Sequence, residues 1–235
     1  KDSFLLGVAN GAVDLRTGVL LPPDPKRRTT RVTSVDYDPH ADCPLFKQTL
    51  LEVFNGNMEL VQFFIVLLGY CILGRPNEDF IIIVWGMGAN GKSTIINVVR
   101  RTLGRHAVTA DASLFVKSGF GAANSGGARP DILALAGARF VSVSEPEEGG
   151  ELRESTIKSM TGGEAMPARA LYSGSIIEVH PTWVAWMATN HKPIVKGSDY
   201  GIWRRLVLVP FTRNFETDPT IERDINREER LAEEM

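Results

Sequence analysis

Phe80 to Thr94 read FIIIVWGMGANGKST. Three isoleucines, a valine and a tryptophan run into Gly86. Gly91-Lys92-Ser93-Thr94 follow, and then an apolar pattern of helical period. An apolar run this continuous predicts a strand buried on both faces, as in a parallel sheet. The spacing G-x-x-x-x-G-K-[ST] between strand and helix is that of a phosphate-binding loop. Gly86, Gly88 and Gly91 let the backbone turn sharply and approach phosphate oxygens without a Cβ in the way. Gly86 to Thr94, including Met87, Ala89 and Asn90, are therefore the expected nucleotide-binding residues. Loop N–H groups and the helix N-terminus favour anions. Lys92 is placed for the β- and γ-phosphates and Ser93 for Mg²⁺. Thr94 caps the helix or touches the α-phosphate.

Working outward, Arg139 to Glu148 read RFVSVSEPEE, a short strand with Glu145 at its C-terminal end. In an open α/β sheet that edge binds ligands. A carboxylate there holds Mg²⁺ through water or orients an attacking water. Trp183 to Asn190, WVAWMATN, end another apolar strand in a polar Thr189-Asn190 pair. Such a pair is suited to a γ-phosphate or a water beside it. Asp199 to Phe211, DYGIWRRLVLVPF, place Arg204 and Arg205 just before a third apolar run. Neighbouring arginines point differently, so one packs or pairs while the other faces outward. Between these lie Ala168 to Leu171 and Ile176 to Val179, two arms of an expected hairpin with Tyr172 to Ser175 at its tip. Arg169 and Tyr172 there suit a phosphate backbone or a stacked base.

The flanks carry less chemistry. Residues 1–36 hold short apolar runs broken by Asn10-Gly11, Thr17-Gly18 and Pro22-Pro23, which predict hairpins and a β-rich segment. Residues 37–78 predict helices, one beginning near Pro44 and one capped by Asn57, running to Leu73 and closed by Gly74. The apolar run Leu60 to Leu73 is short for the roughly 20 residues of a membrane span, so it is expected as a buried helix, with no membrane partner. Residues 79–215 are expected to alternate strands with helices and carry the motifs, and 216–235 are expected as one charged helix. SGFGAANSGGAR over 118–129 is expected as a mobile loop.

The chain of 235 residues has a net charge of −2, which excludes a protein that coats nucleic acid through bulk positive charge. Cys43 and Cys71, the two cysteines, lack metal spacing and suggest a reducing cytoplasm. The absence of an initial Met and the ending LAEEM read as a fragment of a longer chain.

The ordered set GMGANGKST, RFVSVSE, IKSMTGGEAMPARALY, WMATNHKP and DYGIWRRLVLVPF resembles the superfamily-three AAA+ helicases. More narrowly it is similar to the helicase part of phage and plasmid primase-helicases, related to the poxvirus primase-helicase. VANGAVDLRTG and VDYDPHADCPLF resemble the segment preceding the motor in that group. The resemblance implies a three-layer AAA+ P-loop core with a mostly parallel sheet, acting as a ring, usually a hexamer, with ATP and Mg²⁺ between subunits. It implies Glu145 as the acid of the second motif and Asn190 as the γ-phosphate sensor. Arg205, with Arg204 beside it, becomes the arginine given to a neighbour, and the hairpin of Arg169 and Tyr172 the grip on single-stranded or forked DNA. A primase domain is expected elsewhere in the full protein. Ser144 and Pro146 flank Glu145 where many relatives carry paired acids, so either Glu145 serves both metal and water or Glu147 contributes. The function so implied is an ATP-driven DNA helicase of phage, prophage or plasmid replication. The alternatives are an ATP-dependent assembly or switch module that moves no DNA and, more remotely, a small-molecule kinase.

Overall fold

The computed structural model describes residues 2–74, 76–117, 129–172, 175–218 and 224–235. An antiparallel meander opens the chain: β1 (Leu5–Val8), β2 (Gly11–Asp14) and β3 (Val19–Leu21). Two helices follow, α1 (Pro44–Val53) and α2 (Met58–Ile72). The α/β body then runs through β4 (Ile81–Trp85), α3 (Lys92–Leu103), β5 (Ala107–Ala110), β6 (Val116–Lys117), α4 (Pro130–Leu135), β7 (Phe140–Val143), β8 (Glu151–Leu152), α5 (Glu154–Thr161), β9 (Met166–Ala168), β10 (Ile177–Val179), β11 (Val184–Thr189), α6 (Tyr200–Trp203) and β12 (Leu206–Pro210). Helix α7 (Arg227–Glu234) comes last.

Five strands form a parallel sheet in the order β12-β4-β11-β7-β5. Ile81 to Val84 are all buried, and the twofold period of a strand sends them to opposite faces. Ile82 and Val84 join Phe54, Phe64, Ile95, Val98 and Trp186 on the face carrying α1, α2, α3 and α7. Ile81 and Ile83 join Leu114, Ile132, Ile157, Met160 and Ile202 on the face carrying α4, α5 and α6. The chain is thus a three-layer α/β body with a P-loop-type core.

Asn57 caps α2 by accepting the N–H of Leu60 at 3.0 Å. Burial of α2 is one-sided, which corrects the expectation of a buried helix. Phe64, Leu67 and Cys71 face the sheet, while Phe63, Ile65 and Val66 are 44–66% exposed. The charged C-terminal helix begins only at Arg227, not at residue 216. Asn214 ties the N–H groups of Glu216 and Thr217 to its own side chain, a local bonding pattern that competes with helix. Residues 219–223 lie outside the described residues, as do 118–128. Helix α7 is docked rather than merely solvated. The Glu234 carboxylate accepts the N–H groups of Leu45 and Phe46 at 2.6 and 2.8 Å, so it serves the unsatisfied first turn of α1. Arg227 reaches Glu52 at 2.9 Å.

One buried charge fastens the meander to this body. Arg139, 5% exposed, donates to the carbonyls of Ser3 (3.0 Å), Leu5 (2.6 Å) and Ile72. Burial pushes its pKa down to about 10, so it stays charged at neutral pH. Gly74 at φ +64 lies against it, where a Cβ would come 2.9 Å from Cζ. Removing the guanidinium leaves three part-buried carbonyls without this donor. Arg139→Ala is expected to lower unfolding free energy by about 3 kcal/mol or more, read by urea denaturation. A cost below about 1 kcal/mol would show that water replaces the clamp.

Candidate nucleotide and phosphate site

The sheet is parallel, so its C-terminal edge gathers the ends of β4, β7 and β11. The phosphate-loop sequence follows β4 there. Gly86 N–H donates to Thr189 O at 3.2 Å, joining the loop to the end of β11. Gly86 has no room for a side chain: a Cβ would meet Asn90 Nδ2 at 2.0 Å and Phe211 O at 2.2 Å. Gly91, at φ +80, precedes the first residue of α3 and turns the chain into it. Ala89 also adopts a left-handed conformation, at φ +46. Met87 is 76% exposed at the crest.

Lys92 Nζ, Asn190 and Glu145 come together. Lys92 is 6% exposed and donates to Gly86 O (2.6 Å), Asn90 Oδ1 (2.8 Å) and Asn190 Oδ1 (2.9 Å). Desolvation lowers its pKa, and the charge of Glu145 opposes that shift. The Asn190 N–H donates to Glu145 Oε1 at 3.3 Å. Trp85 Nε1 holds Asn190 O at 3.1 Å, and Lys192 lies 4.3 Å over the Trp85 ring. Lys92, Asn90, Asn190 and Glu145, with Arg100, line a cleft of about 530 Å³, within the range of small-molecule sites. Ser93 and Glu145 are exposed on its wall. Both offer hard oxygen donors of the kind Mg²⁺ takes, so the donor set fits that ion. Among the described residues no group of three or more His, Cys, Asp and Glu converges as a metal cluster. A second cavity of about 200 Å³ adjoins the loop, between Val53 and Phe215, and shares Ala89, Gly91 and Thr94 with the cleft.

Several residues differ from their sequence reading. Thr189 is 1% exposed and turns inward, its hydroxyl donating to His191 O at 2.6 Å, so it shapes the turn that presents Asn190. Asn90, assigned no particular role by its motif, brackets the loop by donating to Phe211 O at 3.0 Å and accepting from Lys92. Ser144 accepts the N–H of Ala112 at 2.8 Å and is thereby occupied. Glu147 and Glu148 are exposed on the rim, Glu148 lying 3.4 Å from His191.

Arg204 and Arg205 lie at the other edge of the sheet. Arg205 O accepts the N–H of Ile81, level with the start of β4, while the phosphate loop follows its end. At about 3.3 Å per residue they stand roughly 20 Å from their own loop, beyond a side chain's reach. Arg205 donates to Thr161 Oγ1 (3.0 Å), Asp79 (3.1 Å) and Gly201 O.

The hairpin pairs Met166–Ala168 with Ile177–Val179, so its arms are shorter and its connection longer than expected. Arg169 is half-buried, and Tyr172 is fully exposed at φ +62. Ser173 and Gly174, at the expected tip, lie outside the described residues.

Residues 1–55 match the family model described as D5 N terminal like. Over 92% of its length the chain is 28% identical to "Putative helicase L207/L206" of Acanthamoeba polyphaga mimivirus, covering 22% of that protein. Over 61% of its length it is 30% identical to "Putative helicase 022R" of Frog virus 3 (isolate Goorha), covering 15% of that protein. The chain therefore spans less than a quarter of these viral relatives. The apo structure of the NrS-1 C-terminal region (305–718) superposes with a TM-score of 0.62, covering 84% of this chain and 45% of that one, at 14% identity. That likeness is one of fold. No helix among the described residues is long and apolar enough to cross a membrane.

The loop makes a contrast between two glycines testable. Gly86→Ala is expected to cost about 1–3 kcal/mol by forcing Asn90 and Phe211 apart. Gly69→Ala, in α2 with open space around it, is expected to be neutral or stabilising by about 0.5–1 kcal/mol. Thermal and urea melts of the two variants check this, and equal effects would remove the steric account of Gly86.

Proposed function

We propose, from a D5-like primase-helicase family supported by the N-terminal match and the viral relatives, that this chain is the ATP-hydrolysing motor of a DNA helicase. The observation carrying the proposal is the single network of Lys92, Asn190 and Glu145 at the mouth of the phosphate loop, with two arginines on the far edge of the same sheet.

The triphosphate lies along Gly86 to Thr94, its oxygens taking the loop N–H groups. The base enters the apolar cavity between Val53 and Phe215. Lys92 exchanges its contacts with Asn190 Oδ1 and Gly86 O for β- and γ-phosphate oxygens. Asn190, released from Lys92, turns its amide to the γ-phosphate. Glu145 orients the attacking water and takes up its proton. Ser93 and Glu145 would hold Mg²⁺, which when bound neutralises charge on the phosphates. Arg204 and Arg205 stand too far from their own loop to serve it, so in this reading the one of them that completes the charge balance comes from another copy. Hydrolysis is thereby tied to a ring, a hexamer in the proposed assembly. Arg169 and Tyr172 of the hairpin contact single-stranded DNA within it, by phosphate pairing and base stacking. A primase domain belongs to the remainder of the longer protein.

Steady-state ATPase over a range of protein concentrations, with and without single-stranded DNA, tests the reading. Specific activity should climb with concentration and with DNA, and Lys92→Ala should reduce it by roughly 10²-fold or more. Activity that climbs with concentration but ignores DNA would favour an assembly module. Activity indifferent to both would sink the trans-acting motor.

A further inference from the structure

One group of cations takes no part in the nucleotide site. Lys26, Arg27, Arg28 and Arg31 fall within six residues, with Asp24 as the acid beside them. Asp24 accepts the N–H of Lys26 at 2.9 Å and so caps a single 3-10 turn, Pro25–Arg27. Arg28 closes that turn in a left-handed conformation, at φ +52. Lys26 and Arg28 are exposed. Arg31 is half-buried and donates to the carbonyls of Arg105 and Ala136, which sets the exposed Arg105 beside it. Burial lowers the Arg31 pKa, and the neighbouring charge of Arg105 lowers it further. Among the described residues none of these five cations is ion-paired with a carboxylate. Their backbone is nevertheless fixed to the body. Arg105 N–H donates to Val32 O at 3.0 Å, and Thr33 N–H to Gly7 O at 3.1 Å. A groove of about 450 Å³ opens between β1–β2 and this segment, lined on the segment's side by Arg27, Arg28, Thr29 and Thr30.

We propose that Lys26, Arg27, Arg28, Arg31 and Arg105 form a surface that binds the phosphodiester backbone of duplex DNA, beside the hairpin of Arg169 and Tyr172. This is a second DNA contact, separate from the hairpin, and the choice of DNA as partner rests on the helicase reading above. Position supports it. Arg105 precedes β5, Ala136 precedes β7 and Thr182 precedes β11, so all three lie at the sheet edge opposite the phosphate cleft. Thr29, Arg31 and Thr182 line one small cavity there. Thr182 is three residues beyond Val179, the end of the hairpin's second arm. The cations therefore adjoin the base of the hairpin, while the cleft is a strand's length away, about 13 Å for the four residues of β5. Composition selects the form of DNA. Residues 22–32 include no aromatic side chain, so nothing in that stretch stacks on a base. Unpaired cations and threonine hydroxyls hold phosphates without reading sequence. A duplex turns its phosphates outward and keeps its bases paired, which is what such a surface fits. The charge is local, in keeping with a net charge of −2.

Fluorescence anisotropy of labelled duplex and single-stranded DNA over a salt series tests the assignment. The double variant Lys26→Gln/Arg28→Gln removes two exposed charges whose side chains hold no partner among the described residues. It should weaken duplex binding by about 3–10-fold near 0.1 M salt and flatten the slope of log Kd against log salt by about 1 to 2. Its melting temperature and its ATP turnover without DNA should match the wild type. The hairpin variant Arg169→Ala/Tyr172→Ala should weaken single-strand binding more than duplex binding. Wild-type duplex affinity and salt slope in the Lys26→Gln/Arg28→Gln variant would overturn the assignment, as would a loss confined to single strands. A hairpin variant with unchanged single-strand binding, beside a Lys26→Gln/Arg28→Gln variant weakened on duplex, would sink the hairpin's role and leave this surface standing. A wild-type chain that binds neither form of DNA would overturn both.

Discussion

The parallel alignment of β4, β7, β11 and β12 is the constraint on which the rest depends. Parallel neighbours share one direction, so everything that follows these strands lies at one edge and everything that precedes them at the other. The phosphate loop, Glu145 and Asn190 follow their strands. Arg204 and Arg205 precede theirs. One register therefore assembles a cleft and withholds from it the cations nearest in sequence to β12. Burial enforces the register, because Ile81 to Val84 are packed on both faces and a slip would exchange the two faces' side chains. The sheet itself keeps the cleft and the two arginines a strand's length apart.

The lysine of the cleft is held by groups of the protein itself. A lysine ammonium that is 6% exposed would be costly if its donors were unmet. Here three neutral oxygens, from Gly86, Asn90 and Asn190, accept its hydrogen bonds. Neutral acceptors solvate the ammonium less well than anions do, which is why desolvation still lowers its pKa. The lysine is thus held in position by neutral contacts, which are weaker than charge-assisted hydrogen bonds to an anion.

Local signals were legible and distant ones were not. The strand, loop and helix around Lys92 could be read because apolar run, glycine spacing and helical period are adjacent in the chain. Glu145 and Asn190 could be read as polar groups ending apolar strands. Thr189 shared that signal and turned inward, because a hydroxyl beside a turn finds a backbone partner two residues away. Asn90 binding Phe211 O, Glu234 capping α1 and Arg139 clamping three carbonyls join residues far apart in sequence, and no spacing announces them. The outer face of α2 misled for a different reason. Phe63, Ile65 and Val66 are apolar but exposed, and composition does not distinguish a covered apolar face from an open one. The C-terminal segment misled because charge interleaving matches a helix whether or not Asn214 has already bonded the backbone another way.

Arg139 has a mechanical consequence. It immediately precedes β7, and Glu145 lies just beyond the far end of that strand. Its guanidinium holds Ser3 and Leu5 at the beginning of the chain. The meander and the acid of the cleft are therefore the two ends of one taut line running the length of a buried strand. Tension applied at the first residues would enter the sheet through the two hydrogen bonds that Arg139 donates to Ser3 and Leu5, at the start of the strand that leads to Glu145, as well as through the pairing of β1 with β2. A pull on the meander is thereby delivered to the buried strand that ends beside Glu145.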